Sequence, residues 1–201
     1  MIGIVDYGLG NLRSVEKAFE TVGHATRIIR TPQGIADADR LVLPGVGAFG
    51  RAMENLSQAD LLEPLRTAVG EGRPLLGICL GLQLFFEQSE EYGIHEGLGV
   101  FAGRVRRLPP EVKVPHIGWN RVSIIRDDPL LHGIPDRAFF YFVQSYFVEP
   151  QAQEQVLGTT DYGVTFAAIV GSGNVYGVQF HPEKSQDAGL RLLKNFGELR
   201  C

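Results

Sequence analysis

The sequence predicts an α/β fold: a mostly parallel central sheet with helices on both faces, extended by antiparallel strands. Three observations carry this. Short apolar runs alternate with helical patterns through the first half of the chain. Pro74 to Ile78 is apolar without a break, as expected of a parallel strand covered on both faces. The second half then breaks into short β-rich runs separated by Pro, Gly and Asn. At 201 residues the chain fits one domain, spanning 1–201. A globule of that size buries roughly 70% of the surface its unfolded chain exposes, so its core needs no disulfide or metal.

Taken in order, Ile2 to Asp6 reads as a strand and Asn11 as the cap of a helix. The apolar positions Leu12, Val15, Phe19 and Val22 of that helix recur at helical spacing until Gly23. Thr26 to Arg30 and Arg40 to Leu43 are further strands, the second ending at Pro44-Gly45-Val46-Gly47. Ala48 to Leu56 and Leu61 to Val69 read as helices, with Gly70 and Gly72 as stops, and Leu80 to Gln88 has helical composition. Beyond them, Val105, Val122 to Ile125, Phe139 to Val143, Tyr146 to Val148, Phe166 to Val170 and Val175 to Phe180 are strand candidates. Gly171-Ser172-Gly173-Asn174 is a strong hairpin signal between the last two. A closing helix, Ala188 to Leu199, should turn Leu190, Leu193 and Phe196 inward.

Composition narrows the functional classes. The chain is 44% hydrophobic and 21% charged, ordinary for a globular domain, and 19 Lys+Arg against 23 Asp+Glu leave a net charge of −4. No run of like charges exceeds three residues, so the basic footprint of a nucleic-acid binder is missing. No apolar stretch reads as a membrane helix: Pro74 to Phe86 carries Pro74 and Gln83 and falls short of the ~20 residues required. The start has no basic n-region and reaches Asp6 at once, which reads as cytoplasmic. The two cysteines, Cys79 and Cys201, cannot form a structural zinc site and would stay reduced in that compartment.

Three constellations carry chemistry. Gly77-Ile78-Cys79-Leu80-Gly81 follows an apolar strand and opens a helical segment, the strand–turn–helix context of a nucleophile elbow with sulfur in place of a serine oxygen. The helix dipole there favours thiolate. An inert buried cysteine fits the same pentapeptide, and a different cysteine hydrolase, such as a peptidase, would share the elbow. The second is Phe180-His181-Pro182-Glu183: residues two apart in extended chain point the same way, so Glu183 can hold the His181 imidazole at one nitrogen. The third is Pro44-Gly45-Val46-Gly47, where a glycine-flanked amide at Val46 could join the Leu80 amide as an oxyanion donor. His24, His95 and His132 read as surface residues, His116 and Trp119 as structural or interface residues, and Cys201 has no assigned chemistry.

Together these motifs resemble the class I, triad-type glutamine amidotransferases over essentially the whole chain, Ile2 to Phe196. The resemblance implies hydrolysis of glutamine to glutamate and ammonia through a thioester. It makes Cys79 the nucleophile, His181 the acid and base, Glu183 its orienter, and the Val46 and Leu80 amides the oxyanion hole. Gly45, Gly47, Gln83, Glu91, Ser145 and Tyr146 become glutamine contacts, and no cofactor or metal is called for. One departure is Gln144, where the family commonly has histidine. The segments Asp6 to Leu12, Pro44 to Phe49 and Pro115 to Asn120 resemble the branch whose members form heterodimers with a separate (β/α)8 cyclase subunit in histidine biosynthesis. This chain lacks the eightfold βα alternation of such a barrel, so the partner would be a separate chain. Asn11, Trp119 and Lys184 are the residues expected near that interface. Another acceptor synthase, a peptidase on a similar sheet, and a noncatalytic scaffold are the competing readings.

Overall fold

In the computed structural model, which describes residues 1–199, the first half of the chain alternates strand and helix. The order is β1 (Ile2–Val5), α1 (Leu12–Thr21), β2 (Thr26–Ile29), α2 (Pro32–Asp37), β3 (Arg40–Gly45), α3 (Phe49–Gln58), α4 (Leu62–Gly70), β4 (Leu75–Cys79) and α5 (Leu80–Leu84). The strands β5 (Phe86–Ser89), β6 (His95–Glu96), β7 (Phe101–Arg107), β8 (His116–Ile124), β9 (Ala138–Gln144), β10 (Tyr146–Pro150), β11 (Val156–Asp161), β12 (Thr165–Ser172) and β13 (Val175–Val178) follow, and α6 (Gln186–Glu198) closes the order. Among the described residues no helix is long and apolar enough to cross a membrane. Cys201 lies outside the described residues.

A nine-stranded sheet in the order β2-β1-β3-β4-β13-β12-β11-β8-β9 organises the molecule. From β2 to β13 every neighbouring pair is parallel, and β12, β11, β8 and β9 continue it antiparallel. The period of two along each strand sorts side chains between the two faces. Ile4, Val42, Leu76 and Ile78 join Phe19, Phe180 and Phe196 under α1 and α6. Val5, Leu41, Leu43 and Leu75 join Phe49, Leu56 and Leu65 under α3 and α4. Burying each such side chain contributes roughly 1.5–3 kcal/mol, which makes this double-sided core the main support of the sheet. The predicted hairpin is present: Ser172 pairs with Val175 across Gly173-Asn174, and Gly173 has φ +56°.

Several elements differ from the sequence reading, each for a local reason. The helix expected over Leu80 to Gln88 stops at Leu84, and Phe86–Ser89 is a strand instead. Phe86 packs its ring 5.7 Å from that of Phe101, and β5 pairs with both β6 and β7, so tertiary pairing overrides helical propensity. The expected strand Tyr146 to Val148 does not extend the large sheet. As β10 it belongs to a separate four-stranded sheet, β10-β7-β5-β6. Helix α2 was not expected, although Thr31 accepts the Gly34 N–H at 3.2 Å and Pro32 sits in its first turn. Strand β11 was not expected either, its Gly158 and two threonines giving little apolar signal. In α6, Leu193 and Phe196 are buried as expected, but Leu192 is buried too and Leu190 only partly so.

Candidate active site

Cys79 is the last residue of β4 and immediately precedes α5, with φ +55° and ψ −107°. A non-glycine residue at positive φ is strained, and the flanking packing holds it there. Both flanking glycines are required by close approach. A Cβ on Gly77 would lie 2.5 Å from a ring carbon of Phe85, and one on Gly81 would lie 1.8 Å from the Leu43 carbonyl oxygen. The elbow expected from Gly-x-Cys-x-Gly is therefore built. Leu80 is the first residue of α5, so its N–H has no partner within the helix.

β13 runs parallel to β4 in the register Val178↔Ile78, so the chain leaving β13 passes beside Cys79. It leads to His181, whose Nδ1 is 2.8 Å from Glu183 Oε1, both side chains being nearly fully buried. The His181 N–H donates to the Tyr141 carbonyl at 2.9 Å, and the Ser185 hydroxyl donates to the His181 carbonyl at 2.6 Å. The imidazole Nε2 is buried and has no hydrogen-bond partner among the described residues. Burial acts to lower the His181 pKa, but the nearby Cys79 sulfur and the Glu183 carboxylate outweigh it and push it up to about 10. Cys79 and His181 are thus electrostatic neighbours, and the Glu183 contact at Nδ1 leaves the imidazole Nε2 for the sulfur.

That coupling is testable. Since Cys79 raises the His181 pKa, Cys79→Ala is expected to bring the imidazole midpoint down, read by NMR titration of the ring; an unchanged midpoint would contradict the contact. The linkage has a definite sign. The folded value lies above the ordinary 6.5, so the protonated ring adds stability at acid pH, and this is lost as pH rises through about 10.

A cavity of about 270 Å³ opens beside the sulfur, lined among others by Val46, Gly47, Cys79, Leu80, Gln83 and Glu91. Val143, Gln144, Ser145 and Tyr146 form another side. Of the expected contact residues, Gly45 alone does not reach the cavity. It is buried behind it, where a Cβ would lie 2.3 Å from the Tyr7 hydroxyl and 2.9 Å from Leu80 Cβ, so its role is close packing. Gly47 lines the cavity with φ +112°. Glu91 is partly engaged: its Oε2 accepts the Phe49 N–H at 2.6 Å, at the start of α3. Gln83 donates through Nε2 to the Tyr146 carbonyl at 3.1 Å and to Gln179 Oε1 at 3.2 Å. Among the described residues no group of His, Cys, Asp and Glu is arranged to hold a metal.

The sequence profile of the family described as Glutamine amidotransferase class-I matches residues 3–198. The chain belongs to the class-I glutamine amidotransferases. It is 52% identical over 206 residues to the imidazole glycerol phosphate synthase subunit HisH of Syntrophotalea carbinolica, covering 99% of this chain and 100% of the relative. It is 50% identical over 194 residues to the protein of the same name from Aquifex aeolicus, covering 96% and 94%. In fold it is similar to a crystal structure of a glutamine amidotransferase (TM-score 0.78, 19% identity, 98% and 99% covered). It is likewise similar to PurLQS from Thermotoga maritima (TM-score 0.77, 17% identity, 97% and 96% covered).

Gln179 and Tyr7 also bear on this site and were not singled out from the sequence. Gln179, fully buried, donates through Nε2 to Cys79 Sγ at 3.7 Å. Its position two residues before His181, at the end of a central strand, is the signal that could have found it. Tyr7 donates its hydroxyl to the Pro44 carbonyl at 2.8 Å, and burial, with the nearby Cys79 sulfur, holds its pKa well above the usual phenol value. Nothing in the sequence announces a contact across thirty-seven positions. Among the other histidines, His116 is buried and stacked against the rings of Tyr162 and Phe142 at 3.9 and 5.2 Å, and burial lowers its pKa. His132 is exposed as expected, but His24 and His95 are only partly so and pack against Gly197 and Gly50. Asn11 is exposed and caps α1 by accepting the Ser14 N–H at 3.3 Å. Trp119 and Lys184 are exposed on the same side as Tyr141, with Lys184 Nζ 5.8 Å above the Tyr141 ring.

Proposed function

We propose that this chain is the glutaminase subunit of an imidazole glycerol phosphate synthase, acting in the cytoplasm as a heterodimer with a separate (β/α)8 cyclase subunit of histidine biosynthesis. The observation that carries the reading is Cys79, at a strained elbow on a small cavity, with the buried His181–Glu183 pair behind it and near enough to the sulfur to feel it. Identity near 50% to relatives bearing that subunit name supports the choice of acceptor.

In this reading Cys79 Sγ attacks the side-chain carbonyl carbon of glutamine. The resulting oxyanion is held by the main-chain N–H groups of Leu80 and, once aligned, Val46. His181 passes its proton to the nitrogen, the C–N bond breaks, and ammonia leaves a γ-glutamyl thioester. Water, deprotonated by His181, then attacks the thioester carbon, releasing glutamate and restoring the thiolate. Glu183 holds the imidazole by Nδ1, so that Nε2 faces the reacting atoms. Glu91 offers a carboxylate to the substrate ammonium, while Gln83, Ser145, Tyr146 and Gly47 shape the remaining contacts.

Ammonia released into neutral water is mostly protonated and lost as a nucleophile, so a neighbouring acceptor is needed. The exposed Ile117, Trp119 and Phe139 on β8 and β9 supply an apolar face for one. Tyr141 links that face to the site: its ring meets Trp119 edge-on at 5.9 Å, and its carbonyl accepts the His181 N–H. Asn11 and Lys184 are assigned to the rim of this interface, around Trp119. Mixing the chain with its cyclase is expected to make glutamine consumption depend on the second subunit. Trp119→Ala is expected to weaken the pair by roughly thirtyfold or more in titration calorimetry, the scale of a central aromatic anchor. Glutamine turnover indifferent to the cyclase would reject the partner.

A further inference from the structure

Gln144 stands apart in the cavity wall. The residue is 6% exposed, and both its Oε1 and its Nε2 are buried without a hydrogen-bond partner among the described residues. A buried unpaired amide costs roughly 1–3 kcal/mol per unmatched group, so an orphan donor and an orphan acceptor on one side chain require a reason. Its place in the wall supplies one. The segment from Val143 to Tyr146 runs along the cavity, with the Val143 carbonyl 3.8 Å from Cys79 Sγ at one end. At the other end the Tyr146 hydroxyl feels the charge of Glu91. Gln144 directly follows Val143, so its main chain lies at the sulfur end of this wall, where the reacting end of the substrate must sit.

We propose that Gln144 recognises the substrate's side-chain carboxamide by a reciprocal amide–amide pair, and so selects an amide over an ester or a carboxylate. Oε1 accepts an N–H of the departing nitrogen and Nε2 donates to the carbonyl oxygen, which keeps its second lone pair for the main-chain donors. A primary carboxamide presents donor and acceptor on one edge, so this single group satisfies both orphan atoms. An ester lacks the N–H and leaves Oε1 desolvated and unpaired. The product carboxylate sets oxygen against Oε1, which favours glutamate release. A histidine at this position would titrate, whereas a glutamine keeps the contact independent of pH.

The competing use of the side chain is local: His116 lies opposite Gln144 in the β8–β9 ladder, and its Nδ1 is also buried and unpartnered. The two uses are separated by comparing kcat/KM for glutamine with that for γ-glutamyl methyl ester, in the complex with the cyclase. The inference rests on the glutaminase reading, and unmutated protein that cleaves neither substrate would overturn that reading. Given wild-type turnover, Gln144→Leu is expected to lower kcat/KM for glutamine about tenfold to a hundredfold and for the ester less than about threefold. Gln144→His should restore part of the amide preference, with a new ionisation in the pH profile of the ratio. An amide-to-ester ratio unmoved by both substitutions would overturn the proposal and return Gln144 to a structural partnership with His116.

Discussion

Cys79→Ala is expected to abolish glutamine hydrolysis, lowering kcat by about 10⁴–10⁶-fold, the range measured when a covalent nucleophile is removed. The size follows from the mechanism: without sulfur no thioester can form, and the remaining cavity and main-chain donors supply only binding and oxyanion stabilisation. Two controls separate this from damage to the fold. Ammonia-dependent turnover by the cyclase in the same complex should survive, because the acceptor chemistry belongs to the other chain. A glutamine-like electrophile should label the unmutated protein once, at Cys79, and leave the variant unlabelled. Thermal stability should change little, since Cys79 contributes one small side chain to a large core. Retained glutaminase activity in the variant would remove Cys79 from its role.

Much of this site was legible because its parts are local in sequence. The elbow is five consecutive residues with glycines at fixed offsets, and His181 and Glu183 are joined by a proline that keeps them extended. The βα alternation was legible for the same reason: a period of two or of 3.6 is written within one element. Which strand pairs with which is not written there. Alternation along β10 tells which residues share a face, but nothing in Tyr146 to Pro150 says that the strand joins β7 rather than the large sheet. Phe86, Glu87 and Gln88 read as helix because their neighbours do. Their strand conformation comes from β6 and β7, which lie later in the chain. Tyr7 on Pro44 and Gln179 on Cys79 are likewise contacts between distant positions. Their residue types are ordinary, and only the assembled sheet gives them a task. Gln144 was visible as a departure from the family pattern, but its two unpaired atoms are a property of the folded cavity.

Gly81→Ala is expected to cost several kcal/mol, beyond the usual ~1–3 kcal/mol of overpacking, because the obstacle is main chain. The added methyl would lie 1.8 Å from the Leu43 carbonyl oxygen and 2.8 Å from its carbon. Leu43 is fully buried in β3, pairs with Gly77 of β4, and belongs to a strand flanked by β1 and β4, so its carbonyl cannot yield as the end of a flexible side chain would. For a chain of about 200 residues such a loss lowers Tm by roughly 10 °C or more, read by calorimetry on the intact protein. Gly70→Ala is the matched control. It ends α4, a methyl there meets nothing within 4 Å, and the change should be neutral or stabilising by up to about 1 kcal/mol. The functional consequence runs through the same atoms. If β3 moves to admit the methyl, Leu43 carries Pro44 and Gly45 with it, and Val46 is displaced from the cavity rim. Loss of glutaminase activity should therefore accompany loss of stability in Gly81→Ala. A variant with unchanged Tm would show that the elbow and β3 are not packed against one another as described.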